Sequence, residues 1–454
     1  MPETHAVDYS AARARKGPLT WAQREMGNLI EAAPPDSRHL FNIPLVLRVP
    51  AGCSLTEALA AVRAAVQTHV PLRTAFEGAS FPELTLRTRE FGSVDVTVVE
   101  GERTQLGSTA RVVRNACRYT CPAGKSAYED PVRIAITTLD GSPAYLSLCI
   151  SHLTADGVGV RNLAKYLTHR LWGIGVDDGF RESNLEPVDV ADFEASPDGG
   201  RRDAKAARYW RQCLGELSDE ACAPVRGTAG AAFPRVRLQS WALRTAHAVL
   251  ARRYRVSQNA VLCTAMLYLM CAKTGRRRFL CGIPASNRAT SEARSYTGLL
   301  AQHGFALWQV VGSDFGKTAK AVFTANLRAF RHGRYNPATM AEVFGGWNGF
   351  DHLMYTDCMV NDVHTVEVSG GPEVDPGIRE AMAASRVIDE HPATESGRFW
   401  FWVRGIDKVE ITFGSRPDFM SAGEMKQALW DVERLCVALA LGEPYELAGF
   451  GRIG

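Results

Sequence analysis

Apolar positions along this chain recur with two different periods, and the switches between them mark out its elements. A helical spacing runs over 20–32, opened by Thr20 as a cap and closed before Pro34-Pro35. The run from Phe41 to Val49 reads as a strand. Leu55, Leu59, Val62 and Val66 then share one face of a helix over 55–69. Strand patterns follow at 84–89, 94–99, 131–139 and 144–150, the last two joined across Asp140-Gly141 as a hairpin. Val158, Val160, Leu163, Leu167 and Leu171 fall mostly on one side of a helix over 157–172, which closes this series.

A second series comprises helices over 203–214, 241–254 and 257–273, strands over 278–284 and 304–311, and a helix over 315–331. It continues with strands over 352–360, 399–404 and 408–413 and a helix over 421–441. Between the two series, residues 173–202 are rich in Gly, Asp, Ser and Pro and carry few periodic apolar positions. The chain therefore divides into a flexible tail over 1–18, a first lobe over 19–175, a connector over 176–202 and a second lobe over 203–454. Residues 362–397 have little pattern and read as a long crossing loop. Helices mix with strands in both halves, so the class is α/β or α+β.

Composition narrows the range of functions. The chain has 454 residues with net charge +3, a balance too even for nucleic acid or a membrane surface as the main partner. Transmembrane helices are not expected, since no apolar window approaches about 18 residues. The first sixteen residues lack the apolar centre of a secretory signal. Eleven cysteines form an odd count, and Cys117 and Cys121 have no second pair to complete a zinc site. Reduced thiols and a cytoplasmic location are the expectation.

The densest chemistry lies at Ser151-His152-Leu153-Thr154-Ala155-Asp156-Gly157. His152 falls where a buried strand ends, and Asp156-Gly157 where a helix begins. Histidine is the side chain in this run whose ordinary pKa suits proton transfer near neutrality. A third ligand with recognisable spacing is missing, so no metal site is expected. The plain readings are a satisfied polar histidine at a strand end and an aspartate that caps the helix. Arg276-Arg277-Arg278 reads as a solvated helix end, with an acidic docking partner as the alternative. Phe399-Trp400-Phe401-Trp402-Val403 reads as a strand buried on both faces rather than a substrate platform.

The His-x-x-x-Asp-Gly spacing resembles the active-site motif of nonribosomal-peptide condensation domains, within the coenzyme-A-dependent acyltransferase superfamily. Four further stretches resemble that family in its order: Leu19 to Arg24, Phe41 to Pro44, His69 to Phe76, and Cys281 to Arg288. The third is similar to His-x-x-Leu-Arg-Thr-x-Phe, with Pro71 where an acidic residue is more usual. Ser151 replaces the first of two adjacent histidines. The resemblance implies two lobes similar to chloramphenicol acetyltransferase, arranged as a V with the active site in a tunnel between them.

It also implies roles. His152 is the catalytic base or positioning residue, with Ser151, Asp156, Gly157 and Arg288 as structural support and Asp156 paired to Arg288. Tyr355, Thr356 and Asn361 lie on a strand that in relatives approaches the acceptor. The implied reaction joins an acyl or aminoacyl thioester, tethered to the phosphopantetheine of a separate carrier protein, to a small-molecule amine or alcohol. The enzyme itself binds no cofactor in this reading. An acyltransferase using acyl-coenzyme A and a catalytically silent recruitment module remain as alternatives.

Overall fold

The computed structural model describes residues 2–11, 13–33, 38–78, 81–101, 131–173, 183–217, 233–344, 358–363, 377–393, 398–405 and 407–454. Contacts divide the chain into two compact units. One is Met1–Arg202 together with Ser286–Gln302; the other is Asp203–Ala285 together with His303–Gly454. This departs from a single division near 176–202, because a seventeen-residue segment from far downstream completes the first unit.

The first unit holds strands β1 (Glu3–Ser10), β2 (Arg15–Pro18), β3 (Ile43–Arg48), β4 (Thr74–Glu77), β5 (Thr85–Thr88), β6 (Phe91–Glu100), β7 (Val132–Leu139) and β8 (Ser142–Ile150). Five of them form a sheet in the order β1-β6-β7-β8-β3, in which only β6 and β7 pair in parallel. Strands β2, β5 and β4 form a small antiparallel sheet. Asp140 and Gly141 both take positive φ in the turn between β7 and β8, the conformation that a tight two-residue hairpin requires. Helices α1 (Trp21–Ala32), α2 (Leu55–Thr68) and α3 (Gly157–Trp172) accompany these strands. Val62, Val66, Leu163 and Leu167 from α2 and α3 meet Ile136, Leu146 and Leu148 of the sheet in one core.

Within the stretch expected as a loose tail, Glu3–Ser10 and Arg15–Pro18 are strands. In β1 only Val7 and Tyr9 point inward, too few apolar positions to stand out among charged neighbours. β2 has no large apolar residue; Arg15 instead reaches Glu186, Asp189 and Asp192. Those carboxylates sit on or beside α4 (Pro187–Ala195), within the stretch expected as a connector. A further helix, α5 (Pro197–Gly215), follows at once. Gly199 gave this stretch the look of a loop, yet a Cβ there would lie 2.4 Å from the Glu194 carbonyl oxygen. The glycine permits the close joint between the two helices.

The second unit is built on a seven-stranded sheet. In chain order its strands are β9 (Phe233–Ser240), β10 (Arg278–Ala285), β11 (Gln302–Gln309), β12 (Cys358–Asp362), β13 (Arg386–Ala393), β14 (Phe399–Arg404) and β15 (Val409–Gly414). Their spatial order is β11-β10-β12-β14-β15-β9-β13. Helices α6 (Ala242–Tyr254), α7 (Gln258–Thr274) and α9 (Phe315–Arg331) flank it, α8 (Ser291–Ser295) belonging to the first unit. Helix α10 (Pro337–Val343), helix α12 (Ala422–Ala440) and a terminal hairpin, β16 (Tyr445–Leu447) with β17 (Gly451–Ile453), complete the unit.

The stretch 362–397 is not a bare loop: it holds helix α11 (Ile378–Ala383) and β13, which pairs with β9 at the sheet edge. The sequence analysis also left out β9, whose Val236, Leu238 and Ser240 alternate inward between Arg235, Arg237 and Gln239. In β14 the aromatic run is buried on one face only. Phe399, Phe401 and Val403 are enclosed, while Trp400 and Trp402 are half-buried. The arginine run is engaged rather than freely solvated: Arg276 lies over the Phe279 ring, Arg277 over Phe450, and Arg278 donates to the Glu216 carbonyl. Eight described cysteines are free thiols, seven of them buried, while Cys117 and Cys121 lie outside the described residues. Among the described residues no helix is long and apolar enough to cross a membrane, and no three metal-ligating side chains cluster.

Candidate active site

The candidate site forms where β8 runs out. β8 is a central strand, and the six residues that follow turn sharply into α3. Ser151 shapes this turn. Its hydroxyl accepts from the Leu153 N–H at 3.3 Å, and its carbonyl accepts from the N–H groups of Thr154 and Ala155. A short hydroxyl at this position therefore closes the loop locally. Ser151, Leu153, Thr154, Ala155 and Asp156 are all buried. His152, held between them, is only half-buried and is the one side chain of 151–156 that the loop leaves open.

Asp156 has two jobs, one for each oxygen. Oδ1 accepts from the N–H groups of Val158 at 3.0 Å and Gly159 at 2.8 Å, capping α3. Oδ2 accepts from Arg288 Nη1 at 2.8 Å and from the N–H groups of Leu300 and Ala301, both at 2.9 Å. Burial alone would push this carboxyl up. The Arg288 charge and the surrounding N–H donors outweigh it and hold the pKa below the usual aspartate value. The capping reading and the ion-pair reading of Asp156 thus describe the same side chain.

The two Arg288 Nη groups also donate to the backbone, reaching the carbonyls of Ser286, Gly298 and Tyr296. The guanidinium therefore shapes the segment 286–302 against α3. More contacts fasten the same segment. Leu299 N–H donates to the Thr154 carbonyl at 3.1 Å, and the Asn162 amide donates to the carbonyls of Arg294 and Tyr296. Gly159 lets it approach, since a Cβ there would fall 2.2 Å from the Thr297 carbonyl oxygen. Gly157 differs: a Cβ at that position would meet nothing within 4 Å. Space is open beside the first residue of the helix, next to the loop that carries His152.

Helix α1 braces the turn from another direction. Thr20 and Gln23 form a reciprocal cap, and Gln23 Nε2 continues to the Leu153 carbonyl at 3.2 Å. Two residues on, the buried Glu25 carboxylate accepts from Gln302 at the end of the downstream segment. His69, at the end of α2, packs its ring edge-on to Tyr166 of α3 at 4.5 Å. Burial lowers its pKa to about 4, so the ring is neutral near pH 7. Arg73 in the same motif donates to the Arg89 carbonyl and ties the small sheet.

The residues Ser151, His152, Asp156, Gly157 and Arg288 gather in one place within the first unit. Asn361 is half-buried on β12 in the second unit. Tyr355 and Thr356 lie outside the described residues. Sequence reasoning gave no role to Gly159, Asn162 or Gln23. A second glycine two residues after the first was the visible signal for Gly159, and the helix-opening Ala-Gln pair was the signal for Gln23.

Comparison with known proteins shows the family and the fold to which this chain is similar. The probable nonribosomal peptide synthetase CymA of Salinispora arenicola (strain CNS-205) is 29% identical over 228 residues, which are 47% of this chain and 3% of that protein. The chain thus spans a small fraction of that relative's length. Among solved structures, the condensation domain that mediates chain release from the enacyloxin polyketide synthase superposes with a TM-score of 0.71. It has 16% identity and covers 94% of this chain and 82% of its own. The X-domain solved in complex with OxyB from teicoplanin biosynthesis superposes with a TM-score of 0.69. It has 16% identity, with 95% and 94% coverage. The family model of the condensation domain matches residues 14–352, and the chain belongs to the condensation-domain family.

Proposed function

We propose that this protein is an acyltransferase of natural-product biosynthesis. It would join an acyl or aminoacyl thioester, held on the phosphopantetheine of a separate carrier protein, to a small-molecule amine or alcohol. The observation that carries the reading is the placement of His152. A loop whose other five residues are buried, with the Ser151 and Asp156 side chains hydrogen-bonded within it, leaves one histidine half-exposed beside the open space at Gly157. Such a residue can orient the acceptor and take its proton as the nucleophile attacks the thioester carbonyl. An alcohol acceptor needs the base more than a neutral amine does, because a hydroxyl does not attack with its proton in place. The carbon–sulfur bond breaks, the carbon–nitrogen or carbon–oxygen bond forms, and the proton leaves with the thiol.

Asp156 does not serve as a triad partner in this reading, since its two oxygens are occupied by four backbone N–H groups and Arg288. It fixes the loop, and the loop fixes the histidine. Asn361, Tyr355 and Thr356 are proposed acceptor contacts on the strength of the family resemblance. The X-domain found in complex with OxyB favours one second reading, a condensation-like module that recruits another protein.

One experiment separates these readings. The same acyl group is offered on a carrier protein, on coenzyme A and on a pantetheine mimic, with amine and alcohol acceptors, and products are followed by intact-protein mass spectrometry. Transfer from the carrier that is lost in His152→Ala supports the proposal. Equal efficiency with coenzyme A makes the protein an ordinary acyltransferase, and no turnover with any donor leaves the recruitment reading.

A further inference from the structure

Helix α3 carries His152's loop at one end and an unused surface along its length. Its sixteen residues contain Arg161, Lys165, His169 and Arg170 and no acidic residue. Arg161, Lys165 and Trp172 are spaced by four and seven, so they fall on one stripe of the helix, opposite the buried Leu163 and Leu167. All three are exposed, and Trp172 leaves 49% of its surface to solvent. Neither Arg161 nor Lys165 has a carboxylate within ion-pair distance among the described residues, although ion pairs are common elsewhere in this unit. At the far end, the stripe runs into an open cleft of about 540 Å³. Its walls come from Pro50, Gly52, Cys53, Arg170 and Trp172, with Glu57, already engaged as the cap partner of Ser54, as its acidic residue. Ala60, Ala61 and Ala64 of α2 line it as well.

Two exposed cations without counter-charges, a large exposed aromatic and a cleft of mixed polarity in one line form a complementary face for a helix with acidic residues one turn apart and one bulky apolar side chain. The stripe is about 16 Å long at 1.5 Å per residue, which suits a contact with three turns of a partner helix.

We infer that this face of α3 is the docking surface for an acidic partner protein, and that within the acyl-transfer reading, on which the inference rests, this partner is the carrier that delivers the thioester. The first cation lies four residues from Gly157, about 6 Å along the axis, so a partner seated here stands close to the loop that holds His152.

The test uses the full chain and a recombinant acyl carrier protein of net negative charge, both loaded with an acyl group and in its apo form. The double variant Arg161→Glu/Lys165→Glu and the single variant Trp172→Ala are compared with wild type. The expected result is a KM for the carrier-bound donor raised about tenfold or more by the charge reversal. The values of kcat, thermal stability and KM for a pantetheine mimic should remain unchanged, and raising the salt should mimic the substitution. Unchanged KM for the carrier-bound donor overturns the surface while leaving the acyl-transfer reading intact. Should no donor turn over, binding of the apo carrier by fluorescence anisotropy decides the surface alone: affinity lost on charge reversal sustains it, and no wild-type affinity overturns it. Binding only to anionic vesicles or duplex RNA, with no affinity for the carrier, also overturns it.

Discussion

The Asp156 carboxylate and the Arg288 guanidinium lie 132 residues apart in sequence and meet at 2.8 Å, each with only 4% of its side chain exposed. Neither charge has water to fall back on. Removing one strands the other, and a stranded buried charge costs about 3–5 kcal/mol. Arg288→Ala and Asp156→Ala should each lower the melting temperature sharply, with the aspartate variant worse because four backbone N–H groups lose their acceptor as well. A double-mutant cycle by chemical denaturation should show strong coupling. Additive effects would mean that the two side chains act independently.

Two glycines in the same helical turn should behave oppositely. Gly157→Ala adds a methyl group to open space and should leave stability unchanged or slightly raised, while narrowing the space beside the histidine. Gly159→Ala drives a methyl group to 2.2 Å from the Thr297 carbonyl oxygen, and backbone cannot swing aside as a flexible side chain can. A loss of about 1–3 kcal/mol is expected, the range for overpacking. Thermal melts of the two variants test the contrast.

Acid should weaken the fold through His69. Its pKa is near the ordinary 6.5 when unfolded and about 4 when folded. Between those values the unfolded chain takes up a proton that the folded one refuses, so stability falls as pH drops from about 6.5 towards 4. At pH 5 the contribution is about 2 kcal/mol relative to pH 7.5. His69→Phe keeps an aromatic ring against Tyr166 and removes the titration. Denaturant midpoints measured across this window should vary less with pH in that variant than in wild type.

His152→Ala should lower turnover roughly 10²–10⁴-fold, the span associated with a lost general base. The side chain is half-buried in a loop whose buried neighbours hold their own contacts, so the melting temperature should stay close to wild type. Wild-type turnover in the folded variant would remove the histidine from the mechanism.

Much of this was legible in the sequence where periodicity was strong. Helix α3 begins at Gly157 and ends at Trp172, as its apolar spacing indicates, and helix α9 follows its pattern from Phe315 to Arg331. The elements that escaped have physical reasons. β1 is an edge strand with two inward residues, and β2 is fastened by an arginine instead of an apolar side chain. β13 is likewise an edge strand, with exposed Ile388 where a core strand would hide it. At the site, the histidine and aspartate were visible because their chemistry is local. Gly159 and Asn162 were not, because their reason lies in Thr297, Arg294 and Tyr296, far along the chain.

That separation bears on how the protein forms. The first unit borrows residues 286–302 from beyond the first two strands and two long helices of the other unit, so its loop and helix cannot be finished when residue 202 leaves the ribosome. At about 5–20 residues per second, Asp156 waits on the order of ten seconds for Arg288, Leu300 and Ala301 to be made. During that time it is a carboxylate at the mouth of a nascent helix, still hydrated and free of its later constraints. Such delayed closure gives high contact order and slow final assembly. It also ties the appearance of the histidine's rigid setting to the synthesis of the other unit, so that an early-terminated chain lacks the frame which holds that residue in place.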